Sequence, residues 1–259
     1  MTSYTEWTPD AASACIAVPR VDDDKYTRGV LGVMTGSAMY PGAAVLGVEA
    51  ALHTGVGMVR YAGEARELVL HRRPEVVTAD GRVQAWLLGS GIDHIERQLE
   101  PLLTALVQGV PTILDGGALD LHDRATGSVV ITPHHGELAR VLGITRAKVS
   151  ADPAGFARRT ADELGVTVLL KGHTTYVCGP DHALTVTSPT TWLATAGSGD
   201  ALAGILGALV ATNSTAPLAP LAATAALIHG RAGERAGGPF TILDLIAQVP
   251  ATVRDLLNT

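Results

Sequence analysis

The run Ala194-Thr195-Ala196-Gly197-Ser198-Gly199-Asp200 leads straight into an apolar pattern, with Leu202, Ile205, Leu206, Leu209 and Val210 at helical spacing. Small residues allow successive backbone N–H groups to turn toward one point, and the positive end of a helix dipole adds to them. Such a turn favours an anion. Asp200 falls in the first helical turn. A plainer reading of the same segment exists: Ser198 caps the helix and Asp200 complements its dipole.

Other turns of the same character follow apolar runs. They are Thr35-Gly36-Ser37, Gly89-Ser90-Gly91, Asp115-Gly116-Gly117, Thr132-Pro133-His134-His135-Gly136-Glu137 and Lys171-Gly172-His173-Thr174-Thr175. In open parallel sheets ligands sit beyond the carboxyl ends of the strands, so the shared position of these turns matters more than any one of them. Each also has an ordinary explanation. A glycine after a strand makes a turn. His134 can hydrogen-bond within its turn while Glu137 stabilises a helix start, and Lys171 can be a solvated strand end. A zinc site is not expected at His134 and Glu137, because no third ligand follows at a recognisable spacing.

The elements that must hold these turns are short apolar strands alternating with helical patterns. Strands are expected at 29–34, 56–61, 85–91, 111–117, 128–137 and 166–172, with a hairpin over 176–186 about Gly179-Pro180-Asp181. Helices are expected from Pro41 to about His53, from Ile95 to Gln108, from near Gly136, from Pro153 to Leu164, and at about 198–211, 217–235 and 241–248. This alternation argues a mostly parallel sheet covered on both faces. Residues 1–27, with the acidic run Asp22-Asp23-Asp24, read as an irregular arm, and 28–259 as one domain without a linker or repeat.

Composition narrows the classes. The chain has 259 residues, 47% hydrophobic and 4% aromatic, with a formal net charge of -6. It lacks the basic footprint and aromatic platforms that nucleic acid requires, so no nucleic-acid partner is expected. Gly and polar residues interrupt every apolar stretch before membrane-spanning length, and MTSYTEWTPD is no signal peptide. Cys15 and Cys178 have no metal-ligand spacing and read as reduced. A cytoplasmic protein without a membrane partner is the expectation.

Taken together, several segments resemble the ADP/ATP-dependent NAD(P)H-hydrate dehydratases of the ribokinase-like superfamily. They are Lys25-Tyr26-Thr27-Arg28-Gly29, Tyr40-Pro41-Gly42-Ala43-Ala44, Leu114-Asp115-Gly116-Gly117-Ala118-Leu119, Thr132 to Glu137, Leu170-Lys171-Gly172 and the Gly-Ser-Gly-Asp loop. The resemblance covers essentially residues 25 to 250. Related vitamin and sugar kinases usually have Asn after the Thr-Pro turn, whereas His134 follows it here, as in the dehydratases. The chain departs from the family pattern at Thr190-Thr191-Trp192-Leu193, usually Asn-Pro-Gly-Met, and at Ala196, usually Gly; His135 stands where Pro is usual.

The resemblance implies a three-layer α/β/α fold with a mostly parallel central sheet. It implies dehydration of the S-epimer of hydrated NADH or NADPH, with ADP or ATP as co-substrate and Mg2+ as cofactor. Asp200 would be the catalytic base. Ala43, Ala44, Gly89, Gly91, His134 and Asp200 would meet the hydrated nicotinamide substrate. Lys171, Gly172, His173, Thr174, Thr175, Ala196, Gly197, Ser198 and Gly199 would hold the nucleotide and its phosphates, and Glu137 would serve Mg2+ through water. A separate NAD(P)H-hydrate epimerase would be a functional partner, and a homo-oligomer is the expected assembly. The competing expectations are a ribokinase-like kinase acting on a small hydroxyl compound, and a nucleotide-binding sensor without turnover.

Overall fold

Strand residues buried on alternating sides explain why one sheet carries two cores. A computed structural model gives the fold and describes residues 3–258. In chain order the elements are β1 (Thr5–Glu6), α1 (Pro9–Ser13), β2 (Val30–Met34), α2 (Pro41–Thr54), β3 (Met58–Tyr61), α3 (Arg66–Arg72), β4 (Ala85–Leu88), α4 (Ile95–Leu106) and β5 (Thr112–Leu114). A 3-10 helix over Gly116–Arg124 follows, then β6 (Val129–Ile131), α5 (His135–Val141), α6 (Arg146–Ala151), α7 (Pro153–Leu164), β7 (Thr167–Leu170), β8 (Thr174–Gly179) and β9 (His182–Thr187). The chain ends with α8 (Ser198–Thr212), α9 (Leu218–Ala236) and α10 (Ile242–Leu257).

The nine-stranded sheet has the order β1-β9-β8-β7-β6-β5-β4-β2-β3. Strands β2 to β7 run parallel to their neighbours, and β7, β8 and β9 are antiparallel. Leu31, Val33, Leu87, Ile113, Val130 and Leu169 pack on one face with α2, α8, α9 and α10. Their strand neighbours Val30, Met34, Trp86, Leu88, Leu114, Ile131, Val168 and Leu170 pack on the other with α4, α5, α6 and α7. The period-2 alternation of a strand thus feeds both helical layers. Each fully buried leucine, such as Leu87, stabilises the fold by about 2 kcal/mol.

Of residues 1–27, expected to be an irregular arm, the described part carries β1 and α1. Thr5 and Glu6 pair in parallel with Leu184 and Thr185 at the sheet edge. The Tyr4 hydroxyl donates to Ala154 O at 2.7 Å, and Trp7 Nε1–H donates to Thr224 Oγ1 at 3.0 Å. A two-residue strand leaves too little alternation to be read in sequence; its partners lie far along the chain. Met1 and Thr2 of that arm lie outside the described residues. The last helix, expected to stop near 248, continues through Pro250 to Leu257, because Val249, Thr252 and Leu256 remain buried.

The seam between α2 and α8 sets the geometry of the site. An added Cβ on Gly204 would lie 2.2 Å from Gly47 O and 2.9 Å from the Ala50 methyl. The helices therefore touch backbone to backbone, with Leu46 and Gly47 of α2 beside Gly197 and Asp200 at the start of α8. Gly204→Val is expected to force them apart and lower stability by about 1–3 kcal/mol. A thermal melt measures it, and an unchanged midpoint would mean that the seam is not closely packed.

Candidate functional site

The carboxyl ends of β2, β4, β5, β6 and β7 meet the N-terminus of α8, and polar groups gather there. Asp115, at the end of β5, is 5% exposed. It accepts hydrogen bonds from Ser90 Oγ at 2.8 Å, Thr132 Oγ1 at 2.7 Å and Lys171 Nζ at 2.7 Å. Lys171 Nζ also lies 3.6 Å from Glu137 Oε2. A Cβ built on Gly199 would sit 3.3 Å from Lys171 Nζ, so the ammonium stands over the first turn of α8. Main-chain pairing fixes that position: Lys171 N–H donates to Pro133 O at 2.8 Å.

Charge follows from this arrangement. Burial alone would raise the Asp115 carboxyl. The Lys171 ammonium and the three hydrogen bonds outweigh burial and hold the carboxyl below its ordinary value. Burial would likewise lower the Lys171 ammonium, but the charges of Asp115 and Glu137 and the bond to Asp115 raise it. At Asp200 the Lys171 charge does not outweigh burial. Burial pushes its carboxyl up to about 7, the Asp115 charge adds to the rise, Lys171 opposes it, and Glu137 adds a smaller push. A carboxylate with this value can exchange a proton near neutral pH.

The loop before α8 is built to leave N–H groups open. Gly197 has φ 88, a left-handed conformation, and a Cβ there would meet Leu46 at 2.5 Å. Ala196 is not in the left-handed region, so its methyl is tolerated where the family usually has Gly. Ser198 N–H donates to Thr195 O at 3.2 Å, and no side chain caps the helix. Helix geometry leaves the N–H groups of Gly199 and Asp200 without intrahelical acceptors. They point from a helix end, where an anion is favoured.

His134 and Glu137 form a capping box at the start of α5. His134 Nδ1 accepts from Gly136 N–H and Glu137 N–H, each at 3.0 Å, and Glu137 Oε2 accepts from His134 N–H at 2.7 Å. The plainer reading of this pair is therefore present in the structure, and it does not exhaust the residues. With Nδ1 accepting, the ring proton is assigned to Nε2, and the side chain, 60% exposed, can donate it to a ligand. Glu137 keeps Oε1 open. Among the described residues no group of three or more His, Cys, Asp or Glu could enclose a metal. That donor set fits a magnesium ion carried on nucleotide phosphates, which keeps several waters and needs one or two carboxylates.

The remaining expected residues divide. Gly91 is partly exposed and touches Ala43, where an added Cβ would lie 2.4 Å from the Ala43 methyl. Ala43, Ala44 and Gly89 are buried, and Gly89 backs onto Asp115 O and Ala118. Gly172 and His173 are exposed, Thr174 borders them, and Thr175 is buried with its hydroxyl donating to Gly172 O at 3.3 Å. A cavity of about 260 Å³ lies off the ends of β2 and β4, lined by Ser37, Met39, Glu64, Asp93, His94 and Arg97. It adjoins Gly91 in sequence and does not include Asp200. Sequence reasoning assigned no role to Asp115, Ser90, Thr132 or His229, whose Nε2 lies 3.2 Å from Ser198 Oγ. An ionisable residue closing the apolar run Thr112-Ile113-Leu114 was the available signal for Asp115.

Comparisons with known proteins agree with this architecture. A family model described as NAD(P)H-hydrate dehydratase matches residues 31–249. The chain is 43% identical over 228 residues to the bifunctional NAD(P)H-hydrate repair enzyme Nnr of Mycobacterium leprae, covering 83% of this chain and 47% of that protein. It is 36% identical over 236 residues to the ADP-dependent (S)-NAD(P)H-hydrate dehydratase of Neisseria meningitidis, covering 82% and 79%. The chain thus spans about half the length of the bifunctional relatives and most of the shorter one. A crystal structure of the ADP/ATP-dependent NAD(P)H-hydrate dehydratase of Bacillus subtilis, co-crystallised with ATP and Mg2+, has the same fold. Its TM-score is 0.90 at 23% identity, covering 99% of this chain and 100% of that one. With its mostly parallel sheet between two helical layers, the chain belongs to the NAD(P)H-hydrate dehydratase family, within the ribokinase-like fold.

Proposed function

We propose that the chain is a repair lyase that restores NADH or NADPH from the S-epimer of its hydrate, using ADP or ATP and releasing AMP or ADP with phosphate. One observation carries the reading. Asp200, its carboxyl pushed up to about 7 by burial, stands at an open helix N-terminus beneath the Lys171 ammonium. The N. meningitidis relative is ADP-dependent by name, and the B. subtilis relative was crystallised with ATP and Mg2+.

The chemistry runs in two stages. The hydrate carries a hydroxyl at C6 of the reduced nicotinamide ring, and hydroxide is a poor leaving group. Asp200 takes the hydroxyl proton as the oxygen bonds to the terminal phosphorus, and the bond from phosphorus to the nucleotide breaks. The N–H groups of Gly199 and Asp200, with Lys171, hold the charge that develops on the transferring group. Phosphate then leaves C6 with loss of a proton from the neighbouring ring carbon, which restores the double bond. His134 would donate Nε2–H to the substrate, and Gly91 and Ala43 would border its ring. Lys171 to Thr175 and the loop from Ala196 to Gly199 would hold the nucleotide. Glu137 would hold Mg2+ through water, and the ion would neutralise phosphate charge.

The cavity beside Ser37 and Arg97 would take a remote part of the dinucleotide. A cytoplasmic setting, a separate epimerase for the other epimer and a homo-oligomeric assembly belong to the same proposal. Phosphorus NMR of a reaction with ADP is expected to show AMP and inorganic phosphate rising together. A stable phosphorylated small molecule would instead indicate a kinase, and bound nucleotide without product would indicate a sensor.

A further inference from the structure

Helix α9 is an alanine- and leucine-rich helix, yet His229 lies among its buried residues, 6% exposed. A buried polar ring needs a partner, because an unmade hydrogen bond in the interior is costly. The partner is Ser198, the first residue of α8, whose Oγ lies 3.2 Å from His229 Nε2. Burial pushes the ring down to about 4 against the pull of the Ser198 backbone, with a further push from Lys171. The contact is therefore between a neutral ring and a hydroxyl at physiological pH.

Its position answers a problem specific to this helix. A helix start is usually held by an N-cap side chain that accepts from the N–H groups of the second and third residues. Here those N–H groups belong to Gly199 and Asp200, and a cap would cover the anion position. Gly197 precedes the helix, and no side chain caps it. We propose that His229 is a positioning residue that restrains the first turn of α8 from beneath, through Ser198, so that the N–H groups of Gly199 and Asp200 stay open to the transferring phosphoryl group. The inference rests on the phosphoryl-transfer reading and deepens it. His229 touches no substrate in this scheme; it acts through Ser198.

The test is a double-mutant cycle with His229→Leu and Ser198→Ala, and His229→Gln as the variant that keeps a polar atom within reach. ADP affinity by calorimetry, kcat, and KM for ADP and for the hydrate are measured beside thermal midpoints. His229→Leu is expected to weaken ADP binding and lower kcat by about tenfold while KM for the hydrate holds. His229→Gln is expected to recover most of both. The double variant is expected to be no worse than Ser198→Ala alone, since the two residues act as one unit. A variant that melts earlier but keeps ADP affinity and kcat would overturn the inference, as would losses that add in the double variant. If His229→Leu does not fold, Ser198→Ala decides alone, since it removes the hydroxyl through which the ring acts: unchanged ADP affinity and kcat in that variant overturn the inference. The ADP arm does not depend on the hydrate: wild type that binds ADP but does not turn over the hydrate counts against the proposed function, while the cycle still decides the role of His229.

Discussion

Asp200→Asn is expected to lower kcat by about 10²–10⁴-fold while ADP binds as well as before or more tightly. The amide cannot take the hydroxyl proton, so the step that opens the reaction loses its base. ADP affinity does not suffer, because a carboxylate is removed from beside an anion. In the wild type, kcat/KM is expected to fall about tenfold per pH unit below about 7, where the Asp200 carboxyl is protonated, and to level off above it. Asp200→Asn is expected to lack that limb. A wild-type profile flat across the same range would remove Asp200 as the titrating base.

The same residue should show a cost in stability. Because the folded value of Asp200 is raised from 3.8 to about 7, its contribution favours the folded state at low pH and is lost as pH rises through about 7. Asp200→Asn is then expected to gain stability over wild type as pH rises across that interval, reaching about 2 kcal/mol after allowance for partial exposure. Urea melts at acid and alkaline pH measure the difference.

Lys171→Met is expected to destabilise the fold by about 3–5 kcal/mol at pH 7, because it leaves Asp115 buried and charged without its cation. The sign follows from Asp115, whose folded value is depressed. The pair's contribution is present above the ordinary aspartate range and is lost as pH falls, so wild type and variant should converge on acidification. The variant also loses the cation that lowers Asp200, so the acid limb of its kcat/KM profile should move to higher pH. Asp115→Asn should move that limb the other way, since the Asp115 charge raises Asp200. A Lys171→Met variant that melts with wild type at pH 7 would mean that the Asp115–Lys171 pair is not closed in solution.

The readable parts of the molecule are those governed by local periodicity. Residues 85–88 alternate between the two cores, and α8 begins at Ser198 where the loop meets the apolar pattern. Pro41 and Pro153 open helices, as their missing N–H allows. What was illegible depends on distant partners. Lys171 reaches Asp115 across 56 positions, and Ser198 reaches His229 across 31. No spacing rule reports such pairs. Helix α3 offers only Val69 as a buried apolar residue and is tied down by Arg72 and Arg73 on the buried Glu49 of α2, so it carries too little pattern to be seen. Glycines read alike in sequence, but Gly91 is partly exposed and pressed against Ala43 and Tyr40, whereas Gly89 is buried against Asp115 and Ala118.

Absorbance of the reduced nicotinamide ring tests the central claim most directly. Purified protein is mixed with Mg2+, NADH hydrate or NADPH hydrate, and ADP or ATP in parallel. A rise that requires nucleotide, and that Asp200→Asn nearly abolishes, is the expected result, and the more effective nucleotide names the phosphoryl donor. No rise with either nucleotide, from folded protein that binds ADP, would contradict the dehydratase reading and direct the search to substrates that keep the phosphoryl group.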